Sequence, residues 1–169
     1  MQLPQFPGTN IEILLYENVS NVDAIRSRVV ELPYAFIDAS AICSVEQIMS
    51  AIYRVMIEAN YNRLRTKTLH SEILLALSPT SNIGEAFKRF GLKENTKNLF
   101  MIQITQDKTS NVDKTLVKGD IIEFKDESIE RMSDIETIKK IYKIDQSLHL
   151  KNNTQLSRAV VDAIQLRGL

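Results

Sequence analysis

Three adjacent residues, His70, Ser71 and Glu72, are the types that a general base, a nucleophile and an orienting acid require. The apolar run from Ile73 to Leu77 that follows predicts a central strand covered on both faces. Continued through the triplet, strand geometry sends His70 and Glu72 to one side and Ser71 to the other, so no proton passes between them. His70 and Glu72 also fall short as metal ligands. Two donors do not complete a zinc site, and the other histidine, His149, is far along the chain. Cys43 is the only cysteine and precedes a helix start, where a thiolate is favoured. No base accompanies it, so it reads as a small buried side chain. Neither G-x-x-x-x-G-K nor G-x-G-x-x-G occurs, and the catalytic motifs of protein kinases are missing. These observations predict a chain that is not an enzyme and holds no metal or cofactor.

Contact chemistry remains. Arg63, Arg65 and Lys67 make a short basic segment behind the longest helix. Cations are stable at a helix C-terminus, and the same residues suit a phosphate-contacting patch with salt-dependent RNA binding. Lys88 and Arg89 lie between Phe87 and Phe90 in a short helix. Val161 falls off the apolar stripe of the last helix, next to Arg158 and Asp162. Large apolar groups in such places serve either as core or as partner contacts.

The elements that position these residues follow from periodicity and caps. Ile11–Tyr16, Tyr34–Ile37 and Leu99–Ile104 read as strands, with Ile121–Phe124 as an edge strand. Ser20 and Asp23 open a helix that carries Val22, Ile25, Val29 and Leu32 and stops at Pro33. Ser44 and Gln47 form a capping box before the longest apolar stripe, Val45 to about Tyr61. Pro79 marks a turn, Asn82 and Glu85 cap a helix, and Gly91 closes it in the left-handed conformation with Leu92 folded back. Asp107 to Lys114 is polar and reads as a loop running into a short helix. Ser133 and Glu136 make a third capping box, Thr154 opens the last helix and Gly168 ends it. In that last helix Leu156, Ala159, Val160, Ala163 and Ile164 share one side. The sum is an α/β fold: one domain over residues 1–169, with a small mixed, largely antiparallel sheet and helices packed on it.

Composition bounds the function classes. With 169 residues, 44% apolar and 25% charged, the chain is an ordinary globular one. It carries 21 basic and 21 acidic residues, and a zero balance argues against a dedicated nucleic-acid binder without excluding a local patch. A lone cysteine fits a reducing compartment. No apolar run reaches the ~18 residues that span a bilayer, and no secretory signal is visible, so no membrane role is expected.

Ser78-Pro-Thr-Ser-Asn-Ile-Gly-Glu-Ala-Phe-Lys-Arg-Phe-Gly-Leu92 resembles the signature of the PRPK-binding protein family, the small kinase-binding subunit of the KEOPS (EKC) complex. Arg65-Thr-Lys-Thr-Leu69, Glu72-Ile73, Ile138–Ile144 and Leu156–Gly168 match the family in the same order, the last most like yeast members. Gly84 stands where the family more often has Ser, and the Asp107 to Lys118 region looks shorter than in yeast relatives. The resemblance implies a non-catalytic subunit that binds the N-terminal lobe of an atypical kinase and stimulates it. Through that kinase it would meet the other KEOPS subunits. It also implies support for threonylcarbamoyladenosine modification of tRNAs reading codons that begin with A, tRNA recruitment through the 3′ acceptor end, and a link to telomere maintenance. Location in nucleus and cytoplasm is expected on the same ground. Carried onto this chain, the kinase surface comprises Asn82, Ile83, Phe87 and Phe90, joined by Val161 and Ile164. Asn82 and Ile83 would hold the helix start rigid, and Phe87 or Phe90 would be the apolar anchor. The alternative is a module that primarily binds tRNA through Arg63, Arg65 and Lys67.

Overall fold

A computed structural model describes residues 1–106, 111–145 and 153–166. Its elements are β1 (Asn10–Glu17), α1 (Val22–Arg26), β2 (Ala35–Asp38), α2 (Val45–Asn60), α3 (Leu69–Leu77) and α4 (Ile83–Phe90). They continue with β3 (Leu99–Thr105), β4 (Asp120–Ile122), α5 (Asp126–Met132), α6 (Ile135–Ile141) and α7 (Asn153–Leu166). The strands form one sheet in the order β2-β3-β1-β4, and every described pairing is antiparallel. The expected mixed α/β architecture therefore holds, with the sheet antiparallel throughout its described strands.

Alternation along β1 divides the sheet into two apolar faces. Ile11, Ile13 and Leu15 join Ile37, Phe100 and Ile102 in the larger core, which α2, α3 and α7 cover. Leu14 and Tyr16 point the other way with Phe36, Leu99 and Met101, under α1 and the segment around Leu116 and Val117. The helical layer is fastened by buried polar contacts. Gln47 accepts from Cys43 N–H at 2.7 Å and donates to the Tyr142 hydroxyl at 3.0 Å. Tyr142 donates in turn to the Leu77 carbonyl at 2.6 Å. Burial raises the pKa of this phenol, so it stays a donor. Ser44 and Ser157 bond at 2.6 Å and join the start of α2 to α7.

Several expectations are corrected. Ile73–Leu77 is helix, the second half of α3. The Thr68 side chain accepts from Ser71 N–H and the Ser71 side chain accepts from Thr68 N–H, which nucleates a helix before the apolar run begins. A short apolar run carries no periodicity of its own, so a helix buried on most sides and a central strand look alike. Helix α1 ends at Arg26, and the chain from Ser27 to Pro33 is irregular. Val29 and Val30 are β-branched, poor helix formers. Gly91 is extended (φ −72°), with no left-handed turn. A Cβ there would lie 2.5 Å from the Phe87 carbonyl oxygen, so close packing accounts for the glycine. Asp134, not Ser133, caps α6 by accepting from Thr137 N–H. Ser133 instead donates to the Ile42 and Ile129 carbonyls. No short helix follows the 107–114 loop within residues 111–119. Asp107 to Ser110, His149 and Gly168 lie outside the described residues.

A basic-rimmed cleft as candidate binding site

Between α4, the start of α3 and the irregular 27–34 segment lies a cleft of about 960 Å³. Phe36, Leu74, Ile83, Phe87, Val29 and Val30 line it with apolar surface, the first two buried and Phe87, Val29 and Val30 exposed. Arg26, Arg65 and Lys67 add the positive charge. A second hollow shares Arg26, Phe87 and Leu92 with it and adds Lys88 and Lys93, so Phe87 is a ridge between the two.

The strong amphipathicity of α4 sets its part of this lining. Asn82 caps it by accepting from Glu85 N–H at 3.0 Å, as the sequence predicts, and Glu85 pairs forward with Arg89 at 3.1 Å. With the helix start fixed, Ala86 and Phe90 turn into the core, where the Phe90 ring meets Tyr142 at 6.1 Å. Phe87 turns outward and is 41% exposed. Of the two aromatic anchor candidates, only Phe87 is available to a partner in this conformation.

Val161 and Ile164 do not join that surface. Val161 is 5% exposed and Ile164 fully buried, so the expectation that Val161 stands off the apolar stripe is corrected. Helix α7 is buried over a wider arc than its aliphatic pattern suggests, because Ser157 also faces inward toward Ser44.

The basic segment divides. Arg63 pairs with Glu58 at 3.2 Å, and its guanidinium lies 5.0 Å from the centre of the Tyr61 ring, away from the cleft lining. Arg65 and Lys67 stay on the cleft rim. Glu72, 3% exposed, holds them there. Its carboxylate accepts from Arg65 N–H, from Thr66 N–H at 2.8 Å and from the Thr66 hydroxyl at 2.6 Å. Arg65 also donates to the Ser81 carbonyl at 3.0 Å, which ties the segment to the loop before α4. Sequence reasoning brought neither Glu72 nor Val29 and Val30 to this site. The visible signal was an adjacent valine pair in an otherwise polar stretch.

The His70-Ser71-Glu72 triplet forms no relay, although the reason differs from the strand argument. All three lie in the first turn of α3, and each is committed elsewhere: His70 to Ile104 N–H at 3.0 Å, Ser71 to the cap, Glu72 to the loop. Cys43 is buried, and desolvation pushes its pKa up to about 11, opposite to a reactive thiolate. Among the described residues no group of three His, Cys, Asp or Glu side chains converges as a metal site.

His70 makes the fold pH-sensitive with a definite sign. Desolvation lowers its pKa below 6.5, so the folded chain prefers the neutral ring. The stabilisation is complete above pH 6.5 and is lost as pH falls from there through the lowered value. The expected result is a parent melting temperature that falls more steeply between pH 7.5 and 5 than that of His70→Gln. Parallel curves would contradict it.

A family model described as "Kinase binding protein CGI-121" matches residues 16–168. The chain is 47% identical over 174 residues to the "EKC/KEOPS complex subunit CGI121" of Candida glabrata, covering 99% of this chain and 98% of the relative. The subunits of the same name from Eremothecium gossypii and Schizosaccharomyces pombe are 43% and 36% identical, each over 99% of this chain and 97% and 99% of their own. The match runs through α3, the cleft-forming α4 and α7 alike, and on that correspondence the chain belongs to the CGI-121 kinase-binding protein family.

Proposed function

We propose that this chain is a non-catalytic subunit of a KEOPS/EKC complex that binds and stimulates its atypical kinase. It thereby supports threonylcarbamoyladenosine modification of tRNA, in nucleus and cytoplasm. The observation that carries the reading is the near end-to-end correspondence with subunits bearing that name. The kinase contact proposed here is the exposed Phe87 ring, with Ile83 beside it and Asn82 fixing the helix start. Phe90 supports that surface from the core, whereas Val161 and Ile164 are buried on α7, which packs on α2, and lie outside it.

A second reading is favoured by one specific observation: Arg65, Lys67 and the exposed Phe87 ring line the same cleft. Cations for phosphates and a ring for base stacking are the two parts that single-stranded nucleic acid needs. In this reading the cleft takes the 3′ end of tRNA, and Arg63 is not part of it.

Titration calorimetry of the chain against the kinase subunit from the same source tests the first reading. The expected result is a stoichiometric complex of sub-micromolar affinity. No heat from a folded chain would overturn it. Repeating the titration with tRNA bound separates the two uses of Phe87. If kinase and tRNA bind together, the cleft belongs to one of them. Lys67→Glu then identifies which, because removing one cation–phosphate pair lowers the salt dependence of tRNA binding by about one unit of slope.

A further inference from the structure

The sheet fixes the tautomer of His70. Strand β2 pairs Ala35 with Ile102, and the same register would bring Pro33 opposite Ile104, but β2 begins only at Ala35. The Ile104 N–H at this open position donates to His70 Nε2 at 3.0 Å. A ring nitrogen that accepts from an N–H carries no hydrogen, so the neutral ring carries its hydrogen on Nδ1. Burial favours that neutral form. Among the described residues nothing bonds Nδ1, and the His70 residue is only half-buried. His70 itself lines the cleft, on the turn of α3 that also carries Ser71 and Leu74 to it.

We infer that His70 Nδ1–H is a specificity-determining donor of the cleft, presented to a nucleobase carbonyl or unprotonated ring nitrogen of a single-stranded RNA end. The inference rests on the RNA reading of the cleft given above. Arg65 and Lys67 attract phosphates of any sequence, and a ring such as Phe87 stacks on any base. Neither distinguishes one base from another. A neutral donor whose tautomer is set by the protein backbone does distinguish, because a base that offers it an N–H in place of an acceptor leaves two donors facing each other. Being uncharged, it adds selectivity without adding salt dependence.

Two substitutions separate this role from the one His70 plays at the sheet end. In His70→Gln the amide oxygen reaches the place of Nε2 and still caps Ile104, while nothing replaces the Nδ1 donor. In His70→Asn the amide nitrogen takes the place of Nδ1, and Ile104 is left uncapped. The probe is an unmodified tRNA transcript with an intact 3′ end, titrated by fluorescence anisotropy over a salt series. H70Q should melt close to the parent, bind the transcript roughly threefold to tenfold more weakly and keep the parent's salt slope. H70N should melt below H70Q yet bind more tightly than H70Q. Equal binding by H70Q and the parent would overturn the donor role, as would affinities that merely follow the melting temperatures. If the parent itself fails to bind the transcript, the RNA reading and this inference fall together. A parent that binds and an indifferent H70Q would remove this inference alone.

Discussion

Phe90→Ala should destabilise the chain by about 3–5 kcal/mol, whereas Phe87→Ala, one turn earlier in α4, should cost no more than about 1 kcal/mol. The two rings differ only in direction. Phe90 is fully buried against Tyr142, and truncation leaves a void that Ala86 and the Tyr142–Leu77 hydrogen bond hold open. Phe87 is 41% exposed, so its removal gives up part of one ring's packing and no core. Binding should show the reverse order. An exposed aromatic at the centre of a recognition surface costs about 2 kcal/mol or more when truncated, at least a thirtyfold loss of affinity. Urea unfolding of both variants, followed by titration of Phe87→Ala with kinase and with tRNA, gives the comparison. If Phe87→Ala unfolds as readily as Phe90→Ala, the ring is core and the cleft loses its anchor. If it folds and binds both partners as the parent does, α4 presents no contact.

This pair also shows where the sequence was readable. Asn82, Glu85 and the spacing of Ala86 and Phe90 fixed the start and inner face of α4, because a cap and a 3.6-residue period are local properties. The three longer strands were legible for the same reason. Direction toward a neighbour is not local. Val161 looked like a surface residue because its position falls outside the aliphatic stripe, yet a serine pair pulls that side of α7 inward. Ile73–Leu77 looked like a strand because the Thr68–Ser71 cap that makes it a helix sits in a polar stretch before the run. The cleft itself is a tertiary object. Arg65, Phe87 and Val30 come from three segments, and no spacing along the chain announces that they meet. Recognition of the family by its α4 signature was possible nonetheless, since that signature is the local part of the site.

Glu72→Ala should then take the charged rim away from the cleft while leaving the apolar lining in place. The carboxylate is 3% exposed and serves two backbone N–H groups and one hydroxyl of the 65–66 segment. Alanine leaves both N–H groups without an acceptor and the hydroxyl with only its longer bond to the Thr68 carbonyl at 3.2 Å. The segment is at the surface, so it escapes to water and does not remain dry, and removing a buried charge returns part of its desolvation cost. The net loss of stability is about 2–3 kcal/mol, less than the same groups would cost if they stayed buried and unpaired. The functional loss is separate. Once released from Glu72, the segment keeps the Arg65–Ser81 hydrogen bond and the contacts of the Thr66 hydroxyl with Thr68 and Ser71. None of these holds the backbone N–H groups of Arg65 and Thr66, and the phosphate-binding geometry of Arg65 and Lys67 disperses. Affinity for tRNA should drop, and the salt slope should shrink by about one to two units, because ordered cation–phosphate pairs are what the slope counts. Glu72→Gln discriminates. One glutamine oxygen, placed where Oε2 accepts from Thr66 N–H and its hydroxyl, preserves the stronger hydrogen bonds, so this variant should lose about 1 kcal/mol and keep most of the slope. A Glu72→Ala chain that retains the parent's salt slope would mean that Arg65 and Lys67 act without being positioned, and the rim would reduce to unordered surface charge.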